Sequence, residues 1–174
     1  FEYRGGERAP MEKMRDVGAD YQYTYCYHPP QLYSTAREAI DFQISRIKKW
    51  DTMNVLPFIP TLSMGFDPMP WREMDHPPRV PLDKVRRWRL PPEEWKKLLK
   101  EAKPIIDRQK PLPNGKHLLF LDNWNEWGEG HYLSPHLYEG FNYLQAIRKV
   151  FTECDNLPDY LTPHQLNLGP YEEK

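Results

Sequence analysis

The chain has 174 residues, of which 24 are Lys or Arg and 25 are Asp or Glu, giving a net charge of −1. So even a balance provides no global field to hold nucleic acid or an anionic membrane, and no run of about 20 apolar residues offers a membrane span. Aromatic residues make up 14% of the chain and prolines number 19, a composition of ordered, aromatic-lined loops and not of a disordered tail.

Phe1 to Gly18 is polar, is broken by Gly5, Gly6 and Pro10, and reads as a loop or as the end of a preceding helical unit. From Asp20 to Tyr27 the chain alternates, with Tyr21, Tyr23, Tyr25 and Tyr27 on one side and Gln22, Thr24 and Cys26 on the other, which predicts a strand stopped by His28, Pro29 and Pro30. Thr35 and Glu38 have the spacing of a capping box, and Ala36, Ile40, Ile44 and Ile47 follow at helical spacing as far as Trp50. Val55 to Thr61 is a second candidate strand, weakened by Pro57 and Pro60, which cannot donate to a ladder.

Leu62 to Leu90 has almost no periodicity and holds Pro68, Pro70, Pro77, Pro78 and Pro81 together with Trp71 and Trp88. A structureless segment of that length in a compact domain is functional or disordered, and its aromatic content favours function. Pro91 and Pro92 suit the first turn of a helix whose apolar face is Trp95, Leu98, Leu99, Ala102, Ile105 and Ile106, with Pro104 kinking or ending it. Asn114 and Gly115 turn the chain into a third strand, His117 to Leu121, whose continuous apolar character suits burial on both faces. Leu137, Phe141, Leu144, Ile147 and Phe151 mark the apolar face of a last helix, and the remainder reads as an exposed tail.

This order predicts an α/β fold of about three βα units, with parallel strands joined by crossover helices, as in part of a (β/α)₈ barrel or a doubly wound sheet. Periodicity does not choose between the two. A complete eight-unit barrel takes roughly 250 residues, so residues 1–174 are expected to form a single-domain piece of a longer polypeptide.

The third strand runs into Asp122, Asn123, Trp124, Asn125, Glu126, Trp127, Gly128, Glu129 and Gly130. Carboxylates that exchange protons, amides that bond hydroxyls in both directions and indoles that cover the C–H face of a pyranose make a composition suited to a sugar site. Solvated loop acids and tryptophans packed over a sheet end are the plainer reading of the same residues. His131 and His136 carry no HExxH spacing and no tight ligand cluster, so no metal is predicted. Cys26 and Cys154 lack CxxC spacing, which leaves a disulfide and two free thiols both open. Lys84 to Arg89 and Lys96 to Lys103 are basic runs best read as solvated faces.

The segment NEWGEGHYLSP, followed by Tyr138, Gly140, Tyr143, Leu144 and Ala146, resembles the C-terminal signature of the WbsX-type proteins, in the same broad group as glycoside hydrolase family 99. The resemblance implies a (β/α)₈ barrel of which this chain is the C-terminal portion. It also implies a glycosidase acting on an α-linked, mannose-containing oligosaccharide or polysaccharide without a cofactor. The paired glutamates of that hydrolase frame fall on Glu126 and Glu129. Glu129 would then be the acid and later the base, and Glu126 the base that deprotonates the sugar's own 2-hydroxyl on the way to an epoxide-like intermediate. The position between them, commonly histidine in the hydrolases, is Gly128 here.

Asn125, Trp124, Trp127 and Tyr132 are the implied substrate contacts within the motif. The barrel rule that loops after strands form the catalytic face adds His28 and the loop of Asp67 and Trp71, whose sequence GFDPMPWR is similar to a WbsX-type segment. The partners expected are therefore a glycan and the N-terminal remainder of the barrel. Two rival functions stand beside the hydrolase: a glycosyltransferase of polysaccharide assembly, for which no glycine-rich phosphate loop or DxD motif is found, and a glycan-binding domain without turnover.

Overall fold

The computed structural model describes residues 8–30, 33–74 and 81–152. Helix α1, Arg8–Asp16, buries Met11 and leads into an extended segment over the alternating tyrosines. Where a strand was expected, Gln22 makes a parallel bridge to Phe58 and no named strand forms among the described residues. Gln22 N–H donates to the Pro57 carbonyl at 3.0 Å and Ile59 N–H donates to the Gln22 carbonyl at 2.8 Å. Pro57 and Pro60 flank that pairing without an N–H to offer, which is why the ladder stops there.

Helix α2, Ala36–Met53, begins with the predicted capping box. Thr35 Oγ1 accepts from the Glu38 N–H, and the Glu38 carboxylate accepts from the Thr35 N–H at 2.8 Å. Its inner face is Ala39, Ile40, Gln43, Ile44, Ile47 and Trp50. Asn54, left-handed at φ 48°, ends it. Strand β1, Thr61–Ser63, lies beyond Pro60 and not at Val55, again because the prolines delay regular pairing.

The segment without periodicity resolves into short pieces: β2, Gly65–Phe66, helix α3, Met69–Met74, a 3₁₀ turn, Leu82–Lys84, and β3, Trp88–Arg89, antiparallel to β2. Trp88 is buried, so of the two tryptophans in this segment it belongs to the core. Helix α4, Pro92–Ile106, carries Pro92 in its first turn, Glu93 and Glu94 near its N-terminus and Lys103 near its C-terminus, as its dipole favours. All six residues of its predicted apolar face are buried.

Strand β4, Phe120–Asp122, pairs parallel with β1 in the register Thr61↔Phe120, Leu62↔Leu121, Ser63↔Asp122. It is not buried on both faces. Leu119 and Leu121 pack towards the helices while Leu118 and Phe120 stay exposed, because among the described residues β4 has a strand neighbour on one side only. A short hairpin follows, β5, Asn125–Glu126, a 3₁₀ turn, Trp127–Glu129, and β6, His131–Tyr132. The last helix, α5, is Asn142–Phe151, and its buried residues are Tyr143 and Ala146. Leu137 and Phe141 precede it and are exposed, since the Gly140 N–H closes a turn on the His136 carbonyl at 2.7 Å before the helix starts.

The result is an α/β arrangement in which α4 packs against both α2 and α5. One apolar core joins Ile40, Ile47, Leu62, Met64, Leu90, Trp95, Leu98, Leu99 and Tyr143. No helix among the described residues is long and apolar enough to cross a membrane. Cys26 is buried with its sulfur 3.2 Å from His28 Nε2, and Cys154 lies outside the described residues.

Candidate functional site

Ser63 and Asp122 are the last residues of the two parallel strands, and the site is built outward from them, at the carboxyl ends where open α/β sheets bind ligands. Beyond Asp122 the chain turns at Asn123 and Trp124 and returns through the β5–β6 hairpin, in which Asn125 faces Tyr132 and Glu126 faces His131. Gly130, at φ 67°, lets it turn back, and a β-carbon there would sit 2.7 Å from Asp67 Cβ. The Asp67 N–H donates to the Glu129 carbonyl at 2.7 Å, which ties the loop of Asp67 and Trp71 to the motif.

Beneath the hairpin lies a chain of polar contacts that the sequence did not single out. His131 is fully buried, with Nδ1 2.7 Å from Asp122 Oδ1 and Nε2 3.1 Å from Glu129 Oε2. The Ser63 hydroxyl donates to Asp122 Oδ2 at 2.5 Å. The Gln43 amide closes the inner end by accepting from the Ser63 N–H at 2.9 Å and donating to the Ser63 carbonyl at 3.0 Å. Burial pulls the His131 imidazole down, but Asp122 and Glu129 outweigh it and hold the ring above the usual histidine value. The outer end of this chain is open, since the Glu129 side chain is 33% exposed.

Tyr25 stands across from the same carboxylates. Its hydroxyl accepts from Asn123 Nδ2 at 3.2 Å and its ring meets His131 edge-on. Burial holds that hydroxyl above its ordinary value against the Asn123 bond, and the charges of Asp122, Glu129 and Glu126 add to the effect. It is therefore a neutral phenol in the field of three acids.

The six tryptophans divide cleanly. Trp50, Trp88 and Trp95 are core residues, whereas Trp71, Trp124 and Trp127 are 59%, 55% and 47% exposed. Those exposed indoles are the ones predicted to contact substrate. Trp71 lies against Gly128. Trp127 lies 4.0 Å from Tyr132, centroid to centroid. Arg89 also braces Tyr132, with its guanidinium 4.6 Å from the ring centroid and Nη1 donating to the hydroxyl at 2.6 Å. Trp124 stands apart, without ring contact to Trp71 or Trp127 among the described residues, and Asn125 is exposed beside it.

Asp67 uses one carboxylate oxygen to accept from the Met69 N–H at 3.1 Å, the turn-capping role that competes with substrate contact. His28 meets Phe66 edge-on at 4.5 Å and lies 3.2 Å from the Cys26 sulfur, one ring removed from His131. Among the described residues no group of three or more His, Cys, Asp or Glu side chains is placed to hold a metal ion.

Carboxylates thus stand at and just beyond the ends of two parallel strands, beside exposed indoles, in an α/β chain. A family model described as Glycosyltransferase WbsX matches residues 36–147, and the chain belongs to that family. It is similar to the uncharacterized protein WxcX of Xanthomonas campestris pv. campestris strain B100, with 33% identity over 61 residues, 35% of this chain. The protein of the same description from strain ATCC 33913 matches to the same extent. The match spans 8% of the length of either relative. No solved structure matches the chain.

Proposed function

We propose that the chain is the C-terminal portion of a (β/α)₈ glycosidase that cleaves an α-linked glycan with Glu129 as acid and base and Glu126 as the base at the sugar. The observation that carries this reading is the setting of Glu129, whose carboxyl group is open on one side and faces His131 on the other. Glu126 follows from the same hairpin, opposite His131 in the ladder. An oxocarbenium-like transition state needs one neutral acid and one charged base at the same pH, so two carboxyl groups in different surroundings suit the task. Glu129 would protonate the glycosidic oxygen as the C–O bond breaks, with the bonding electrons leaving on that oxygen. Glu126 would take the 2-hydroxyl proton as that oxygen attacks the anomeric carbon. Trp71 and Trp127 supply apolar faces for the sugar rings, and the exposed edge of β4 is where the remaining barrel strands would pair.

The family's description favours a second reading, transfer of a sugar from an activated donor. Incubating the intact protein with a panel of α-linked mannose-containing glycans in water, without sugar nucleotide, separates the two. Hydrolysis that falls about 10²–10⁴-fold in Glu129→Gln, with substrate affinity little changed, is the expected result. Turnover that requires a nucleotide sugar supports the transferase, and binding without turnover in either assay supports a binding domain.

A further inference from the structure

We propose that His131 is a positioning residue that shares a single proton with the Glu129 carboxyl group, and that Asp122, Ser63 and Gln43 exist in this arrangement to fix the ring that does so. The inference rests on the assignment of Glu129 as the proton donor, and it deepens that assignment by naming what controls the donor.

The argument is a count of hydrogens. A neutral imidazole has one N–H and one lone pair, and both His131 nitrogens face carboxyl oxygens, at 2.7 Å and 3.1 Å. With the N–H given to Asp122 at Nδ1, the Nε2 lone pair would oppose a Glu129 oxygen lone pair unless a proton lies between them. That proton sits either on Glu129, donating to Nε2, or on Nε2, donating to Glu129. Both arrangements carry the same net charge, so moving between them requires no charge to be buried or released. A fully buried ring with no solvent contact cannot take the proton from water on its own side, and Glu129 is its route to the exterior.

The inner residues fix the geometry. The Ser63 hydroxyl has one hydrogen and donates it to Asp122 Oδ2, which leaves Oδ1 for the ring. Gln43 holds both backbone polar groups of Ser63, so the hydroxyl is anchored from helix α2. The charged or titratable groups facing His131 are Asp122 from β4, Glu129 from the turn, Glu126 across the hairpin and the Tyr25 phenol. Among the described residues no Lys or Arg is one of them, so the shared proton is the positive element that lets these acids stand together.

The test uses the intact protein with ¹⁵N-labelled histidine. In the wild type the His131 ring nitrogens should titrate above the usual histidine range, and in Glu129→Gln the ring should titrate at lower pH. An unchanged His131 titration in Glu129→Gln overturns the shared proton, whether or not the protein proves to be an enzyme. Asp122→Asn supplies the second arm, because an asparagine amide presented to Nδ1 moves the ring hydrogen to Nε2 and leaves Glu129 without its proton. Its kcat should fall about 10–100-fold on a glycan with a poor leaving group, yet less than about threefold on one whose leaving group needs no protonation, with KM steady in both. An equal fall on both substrates, with a lowered melting temperature, means that Asp122 is merely structural and overturns the proposal. If the wild type cleaves nothing, the catalytic assignment fails while the titration still decides the proton.

Discussion

The indole of Trp71 fills the space that a side chain at position 128 would need: a β-carbon on Gly128 would lie 2.0 Å from Trp71 Nε1 and 2.8 Å from its Cδ1. Glycine at this point of the motif is thus matched by an aromatic ring from another loop. Gly128→Ala should swing the exposed indole away at a stability cost below about 1 kcal/mol, because nothing in the core has to move. Glycan affinity should fall by roughly the 1 kcal/mol of one stacking contact. In a double-mutant cycle by calorimetry, Gly128→Ala should have no further effect on affinity once Trp71→Ala is present. Additive losses would separate the two residues.

Gln43 is a polar residue at the centre of an otherwise apolar helix face, and its amide is fully buried against the backbone of Ser63. Gln43→Leu fills the same volume but leaves a buried N–H and a buried C=O without partners, each worth about 1–3 kcal/mol. Stability measured by urea unfolding of the intact protein should drop by about 2–4 kcal/mol, more than the burial of one extra apolar side chain returns. A neutral or stabilising result would mean that the Ser63 backbone finds other partners.

Much of this was legible in the sequence because it is local. The capping box at Thr35 and Glu38 and the apolar face of α4 follow from spacing within one helix. Trp124 and Trp127 could be picked because the strand before them ends in a burst of polar residues. The relay behind Glu129 was not legible, since Ser63, Asp122 and His131 meet only through the parallel register of β1 with β4 and the return of the hairpin. The one available signal was the alternation of Glu129 and His131, two positions apart beside a strand-ending Asp122. The extended burial expected for β4 failed for a similar reason, because a strand run records its own hydrophobicity and not how many neighbours it has.

The charge state of His131 should be visible in stability as well as in chemistry. Burial opposes protonation of the ring, yet Asp122 and Glu129 overcome it, so the imidazole holds its proton more tightly in the folded protein than in the unfolded chain. A group raised in this way contributes its full stabilisation below its unfolded value, about 6.5 for histidine, and loses it as pH rises through the folded value. Melting temperatures of the wild type and His131→Gln, measured from pH 5.5 to 9, should therefore differ most at the acidic end and converge as pH climbs. Asp122→Asn should shrink the pH dependence of the wild type by removing the first of the two acids that raise the ring. A gap that stays constant across the range would mean that His131 is neutral throughout. A gap that widens with pH would mean that the ring is held below its ordinary value, and that burial outweighs the two carboxyl groups.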